Sequence, residues 1–175
     1  KKEIFNPINK ERVSLYACGP TVYDNPHVGN ARALVVFDLL FRILIELYGE
    51  KKVSYVRNIT DIDDKIIEAS KIKKIDISDL TKSVTEKFHN DCKILFCLNP
   101  TNEPRATEHV EGMINMTKKL IDKKAAYEKE GHVFFAVASF KNYGKLSNKN
   151  LEDLKAGARV EVSKLKNDPL DFVLW

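Results

Sequence analysis

Residues 13 to 49 limit the fold more than any other part of the chain. Val13 to Ala17 is a short apolar run of the kind a buried strand needs, and Cys18-Gly19-Pro20 stops it. A polar loop then delivers His27, Gly29 and Asn30 to a helix that the spacing predicts from Asn30 to Tyr48, closed by Gly49. After Arg32 its polar residues are few: Asp38, Arg42 and Glu46 sit four apart and form one narrow stripe with i,i+4 ion pairs. Nearly everything else on this helix is apolar, which predicts a helix covered on most sides. Lys52 to Thr60, KVSYVRNIT, reads as a second strand. Strand, helix and strand in that order imply a right-handed parallel crossover and an α/β fold. The corner where the first strand hands over to the helix is an anion site in outline, because free N–H groups and the positive end of the dipole face a bound phosphate. Neither GxGxxG nor GxxxxGK[ST] occurs, so neither common phosphate loop explains it.

The remaining elements follow in order. Asp61-Ile62-Asp63-Asp64 leads into a short helix over Lys65 to Lys71. Ser78 to Phe96 reads as an amphipathic helix with Leu80, Val84, Phe88, Cys92 and Leu95 on one side. Asn99-Pro100 to Glu103-Pro104 reads as a loop, and Ala106 to Lys124 as a helix with Val110, Met113, Ile114, Thr117 and Ile121 as its stripe. Tyr127 and Val133 to Val137 flank a Glu-Lys-Glu-Gly turn and predict a hairpin. A polar loop from Lys141 to Lys149, a short helix over 151–154 and an extended run over 157–162 come next. The last residues, Asp168 to Trp175, read as a turn and an apolar strand, an ending that suggests the chain continues.

Composition excludes little. With 175 residues, 43% apolar and 31% charged, the chain can be one globular domain or part of a larger one. A net charge of +4 is too mild to mark a nucleic-acid binder. The apolar run Ala33 to Phe37 ends at Asp38 and no apolar run exceeds six residues, so no membrane span is expected, and the first seven residues lack a signal-peptide core. The default reading is a cytoplasmic protein without a membrane partner. Three cysteines without a secretion signal argue against a disulfide framework. Cys92 and Cys97, five apart in a helical stretch, would lie about 140° from each other and share no face.

Chemistry concentrates at the first corner. His27 and Asn30, three apart at a helix start, can face one ligand, and Gly29 between them permits close approach. An imidazole and an amide can each donate to phosphate oxygens, most usefully as charge develops; the plainer alternative makes His27 a capping or loop residue. Thr60, Asp61, Asp63 and Asp64 read as a helix cap with acids in the first turn, with a magnesium site as the sharper alternative. Cys18 sits at the end of a strand beside that corner, where ligands bind in open α/β sheets.

The run CGPTVYDNPHVGNAR resembles the HIGH region of class I aminoacyl-tRNA synthetases, and its Cys-Gly-Pro-Thr-Val-Tyr-Asp lead-in is similar to the cysteinyl-tRNA synthetases. YVRNITDIDDKII, EPRAT, YGKLS, AGARV and DPLDFVLW carry the same resemblance in order along nearly the whole chain. It implies a Rossmann-like, parallel-sheet nucleotide-binding fold. Residues 1–96 would be its first half, 97–165 an α+β connective insertion, and 166–175 the start of a strand returning to the catalytic domain. It also implies an ATP-dependent ligase that forms cysteinyl-adenylate and passes cysteine to its tRNA, using Mg²⁺ with the ATP.

By resemblance His27 and Asn30 are catalytic. Pro20, Thr21, Tyr23, His27, Gly29 and Asn30 bind ATP, Gly19 and Thr60 lie near the cysteine, and Cys18 ligates one Zn²⁺ whose other ligands fall after residue 175. A thiolate on zinc would take a thiol substrate in preference to a hydroxyl. His89, His109 and His132 lack the spacing to complete such a site. The sequence departs from HIGH by reading His-Val-Gly-Asn, which keeps an N–H donor at Asn30 but no cation. Tyr23 and Asp24 are loop residues whose roles the sequence does not separate, and Arg32 either reaches phosphate or holds the loop. With the family's lysine loop and anticodon domain missing, these 175 residues are expected to be inactive alone, and the parent enzyme a monomer. Two other classes share the chemistry or the fold: a ligase joining activated cysteine to an amino-sugar, as in mycothiol synthesis, and a non-catalytic nucleotide-binding module.

Overall fold

A computed structural model describes residues 3–148 and 165–175. The short helix expected over 151–154, the extended run over 157–162 and the AGARV motif lie outside the described residues. The chain forms two compact units, Lys1–His109 and Val110–Trp175.

In the first unit, β1 (Val13–Ala17) leads through α1 (Val28–Tyr48) to β2 (Val53–Arg57). The two strands pair in parallel, from Val13 against Val53 to Ala17 against Arg57. The expected parallel crossover is therefore present. α1 starts two residues earlier than the spacing predicts, because His27 and Asn30 close a capping box ahead of its first turn. It buries Leu34, Asp38, Phe41 and Leu44, whereas Val36, Leu39, Ile43 and Leu47 are exposed. Coverage on most sides is thus not what the described residues provide.

Two apolar clusters flank the strands. Val13, Ala17, Phe41, Leu44, Val53 and Tyr55 fill the space between α1 and the sheet, with the Phe41 and Tyr55 rings 5.0 Å apart. The second cluster collects Val22, Leu34 and Ile59 with Ile66 of α2 (Asp64–Lys73) and Leu80, Val84, Phe88 and Cys92 of α3 (Ile77–Ile94). The predicted stripe of α3 is therefore the buried one, except that the helix stops at Ile94 and leaves Leu95 exposed.

Residues 99–104, read as a loop, run beside β2 on the edge away from β1. Thr101 N–H donates to Tyr55 O (2.7 Å), Arg57 N–H to Asn102 O (3.1 Å), Ile59 N–H to Pro104 O (2.9 Å) and Ala106 N–H to Ile59 O (3.1 Å). This is a parallel ladder, with bridges at Val56–Asn102 and Ile59–Arg105. Pro100 and Pro104 hid it, since proline cannot donate; a sheet edge tolerates that loss.

A buried cation ties this edge to α3. Arg57 is 3% exposed. It donates to Glu103 Oε1 through Nη2 (2.6 Å) and Nε (3.1 Å), and its guanidinium lies 4.9 Å from the Phe88 ring centre. Glu103 Oε2 also meets His89 Nε2 at 2.5 Å. Burial pulls the Arg57 pKa down, but the Glu103 carboxylate together with Cys92 and Tyr55 outweighs it and the net shift is upward. One nitrogen, Nη1, is buried with no hydrogen-bond partner.

In the second unit, α4 (Val110–Asp122) precedes an antiparallel hairpin of β3 (Ala126–Lys129) and β4 (His132–Phe135). Its two-residue turn has positive φ at both Glu130 (52°) and Gly131 (79°), the geometry that matches strand twist. β5 (Phe172–Val173), placed by the sequence reading on a strand returning to the catalytic domain, pairs antiparallel with β4. Asp171, 3% exposed, holds the unit together by accepting from Tyr127 Oη (2.8 Å), Val137 N–H (3.0 Å) and Asp168 N–H (3.1 Å).

Removing one partner of the buried pair leaves an uncompensated charge. Glu103→Ala is expected to destabilise the chain by about 3 kcal/mol in urea unfolding, while Arg57→Met with Glu103→Leu is expected to recover most of that loss. A double variant no more stable than the single one would contradict this account.

Candidate functional site

The carboxyl ends of β1 and β2 come very close. A Cβ built on Gly19 would lie 1.6 Å from the Asn58 carbonyl oxygen, so only glycine fits there. Asn58 then joins the corner through its side chain. Its Oδ1 accepts from Gly19 N–H and from Tyr16 Oη, both at 3.0 Å, and its Nδ2 donates to Thr60 Oγ1 at 3.0 Å. Thr60 N–H donates to Pro20 O (3.0 Å) and Val22 N–H to Thr60 O (3.1 Å), which continues the parallel pairing past the strands at Thr21–Thr60. Gly19, Pro20, Thr21 and Thr60 are therefore neighbours. Asn58, which bonds both Gly19 and Thr60, was missed; its place inside YVRNIT was the only signal for it.

At the tip of α1, Gly29 N–H donates to His27 Nδ1 (3.0 Å) and His27 N–H donates to Asn30 Oδ1 (3.0 Å). A backbone N–H can only donate, so Nδ1 carries a lone pair and the ring proton sits on Nε2. In the same way the Asn30 oxygen is committed to the cap, which leaves its NH₂ as the free end. The capping and ligand readings of His27 are compatible: the cap uses one side of each group and leaves a donor on the other. Gly29 has a further reason to be glycine, because a Cβ there would meet His27 Cε1 at 2.8 Å and Nδ1 at 3.0 Å.

Cys18, Gly19, Pro20 and Asn30 line one cavity of about 80 Å³, walled by Tyr55, Arg57 and Phe88. His27 and Asn30 line a second of about 260 Å³ with Phe88 and Asp91 of α3. Asn30 belongs to both. Cys18 is exposed and shares its cavity with Asn30 of α1. Tyr23 instead packs against the second apolar cluster, with Lys65 Nζ 5.5 Å from its ring centre. Asp24 is salt-bridged to Lys73 (3.3 Å), and its carboxyl lies below the usual range because it accepts from Asn25 N–H and faces that lysine.

The acidic run divides by role. Asp63 caps α2 by accepting from Lys65 N–H (2.9 Å), and Asp64 stands in the first turn. Asp61 turns away from that helix. It is buried and accepts from Thr107 N–H (3.0 Å) and Thr107 Oγ1 (2.6 Å), with Arg105 at 3.9 Å. It thereby binds the TDID run to EPRAT. Among the described residues no group of three His, Cys, Asp or Glu is arranged to hold a metal ion. Cys18 supplies one soft donor, which suits zinc but does not make a site alone.

A model of the family described as tRNA synthetases class I (C), catalytic domain, matches residues 4–175. The chain belongs to the class I (C) tRNA synthetases. It is 57% identical over 175 residues to a cysteine–tRNA ligase of Pelagibacter ubique, covering 100% of this chain and 39% of that protein. A Rickettsia felis cysteine–tRNA ligase is 53% identical over 99% of this chain and 38% of its own length. A Beijerinckia indica one is 57% identical over 100% and 38%. The chain thus spans about two fifths of the length of these curated relatives. A crystal structure from Campylobacter jejuni that bears the name arginyl tRNA synthetase aligns with a TM-score of 0.50 at 16% identity, over 78% of this chain and 40% of that one. It shares the fold. No helix of the described residues is long and apolar enough to cross a membrane.

The cap geometry of this class I member makes a testable demand. The ¹⁵N shifts of His27 are expected to show a pyridine-like Nδ1 and a pyrrole-like Nε2. Gly29→Ala, which in an ordinary helix gains up to about 1 kcal/mol, is expected to lose stability and that tautomer signature together.

Proposed function

We propose that the protein is a cysteine–tRNA ligase, of which this chain supplies the nucleotide-binding corner and the segment after it. The identity of 57% along the whole chain carries the reading. The substrates are ATP with Mg²⁺, L-cysteine and the cysteine tRNA. The enzyme works as a monomer in the cytoplasm, and 97–165 serves as its connective insertion.

In the first step a carboxylate oxygen of cysteine attacks the α-phosphorus of ATP. The bond to the β-phosphate oxygen breaks and pyrophosphate leaves. In the second, a ribose hydroxyl of the terminal adenosine of the tRNA attacks the carbonyl carbon and AMP leaves. The chain's task is positioning and stabilisation of negative charge. His27 Nε2–H and the Asn30 NH₂ face outward from the α1 cap and donate to phosphate oxygens. Neither donor has to reorganise, because each group is already held by its other end. Pro20, Thr21 and Gly29 shape the nucleotide side, and Tyr23 serves the same side from the second apolar cluster, by anchoring the loop that carries them. Gly19 and Thr60, joined through Asn58, shape the amino-acid side. Cys18 would give one thiolate to a zinc ion completed by donors outside the described residues. That ion supplies selection for a thiol over a hydroxyl side chain.

Pyrophosphate exchange by the full-length protein with ATP and cysteine tests the first step. His27→Asn keeps a good capping side chain and removes the Nε2 donor. It is expected to lower kcat roughly 100- to 1,000-fold with little change in thermal stability. Cys18→Ser is expected to lower zinc content and relax the discrimination against serine. Full exchange activity in His27→Asn would overturn the role of the α1 tip. Ligation of cysteine to an amino-sugar in place of tRNA charging would overturn the choice of acceptor.

A further inference from the structure

Cys92 and Cys97 do not sit on opposite sides of a helix. α3 ends at Ile94, and Phe96 takes a left-handed φ of 55°. Phe96 N–H donates to Lys93 O and Cys97 N–H to Cys92 O, both at 3.0 Å. These paired bonds define a Schellman motif, in which the residue past the left-handed position folds back over the residue five earlier. Cys97 accordingly packs against the apolar cluster that contains Cys92. A 3.0 Å bond between the two backbones holds the Cα atoms within roughly 7 Å, the span a disulfide bridges.

The turn is also clamped from α1. Asp38 Oδ1 accepts from Leu98 N–H (2.7 Å), Arg42 Nη2 donates to Phe96 O (2.6 Å), and Arg42 Nε donates to Asp38 Oδ2 (2.7 Å). The polar stripe on α1 is thus the seat of this turn, and residues on both sides of Cys97 are held before any reaction.

We propose that Cys92 and Cys97 form an oxidisable thiol pair that closes to an intrachain disulfide on exposure to a hydroperoxide. Cys97 is the less buried thiol and reacts first. Its sulfur, having given up a proton, attacks one peroxide oxygen; the O–O bond breaks, and the departing hydroxide takes that proton as water. Cys92 then loses its proton and attacks the sulfenyl sulfur, the S–O bond breaks, and a second water leaves. Two thiols and one hydrogen peroxide become one disulfide and two waters. Burial holds both thiols above the usual range, so the first step is slow at neutral pH. The bridge would lock the end of α3 beside Ile94 and Leu95, which line the cavity that holds His27.

The test treats the full-length protein with hydrogen peroxide, alkylates the remaining thiols and digests with trypsin. Cleavage after Lys93 separates the two cysteines, so the bridge appears as a linked pair of peptides 88–93 and 94–105. The expected result is that this pair dominates, is reversed by dithiothreitol, persists in Cys18→Ser and is absent from Cys97→Ser. Sulfinic acid at Cys97 with Cys92 still alkylatable, bridging through Cys18, or two unreacted thiols would each overturn the proposal. The map of the unsubstituted protein decides the matter even if Cys97→Ser fails to fold.

Discussion

At the carboxyl ends of β1 and β2 two backbones run closer than any side chain allows. Gly19 makes that approach possible, and the Asn58 amide then bonds Gly19, Tyr16 and Thr60 at once. The candidate site depends on this meeting. It sets where β1 releases the chain, and hence where Cys18 emerges and where the loop to His27 begins. Ligands in open parallel sheets bind outside the strand ends, and here that region is built from hydrogen bonds between neighbouring strands.

α1 transmits the constraint in two directions. Its first turn orients two donors by committing the opposite end of each to the cap. Its middle turns carry Asp38 and Arg42, which grip the backbone just past α3. One helix therefore positions the candidate phosphate donors and the turn that contains the thiol pair. Phe88 of α3 joins the two regions, because it walls both cavities and lies under the buried Arg57 guanidinium.

Electrostatics inside the unit follow burial. Arg57 is tolerable in a nearly dry place because Glu103 matches it through two hydrogen bonds and Phe88 presents a ring face. His89 shares the same carboxylate at the surface. Asp38, Asp61 and Asp171 are likewise buried and occupied, each accepting from backbone N–H groups of segments distant in sequence. Such carboxylates serve as fasteners between segments, a role that a reading of charge along the chain does not reveal.

Much was determined by the sequence alone. The apolar run, the strand stop and the long apolar helix dictated a parallel crossover, because no other local geometry buries that pattern. The stripe of Leu80, Val84, Phe88 and Cys92 on α3 and the cap at Asp63 were legible for the same local reason. What the tertiary structure decided lies between segments. The ladder along 101–106 was hidden by prolines that only an edge strand tolerates. Asp61 was read as part of a cap, yet it reaches a residue 46 positions away. Cys92 and Cys97 looked opposed because the periodicity of a helix was carried past Ile94, where the backbone turns left-handed. Periodicity describes a chain only while its local bonds continue; where they stop, contacts distant in sequence choose the conformation.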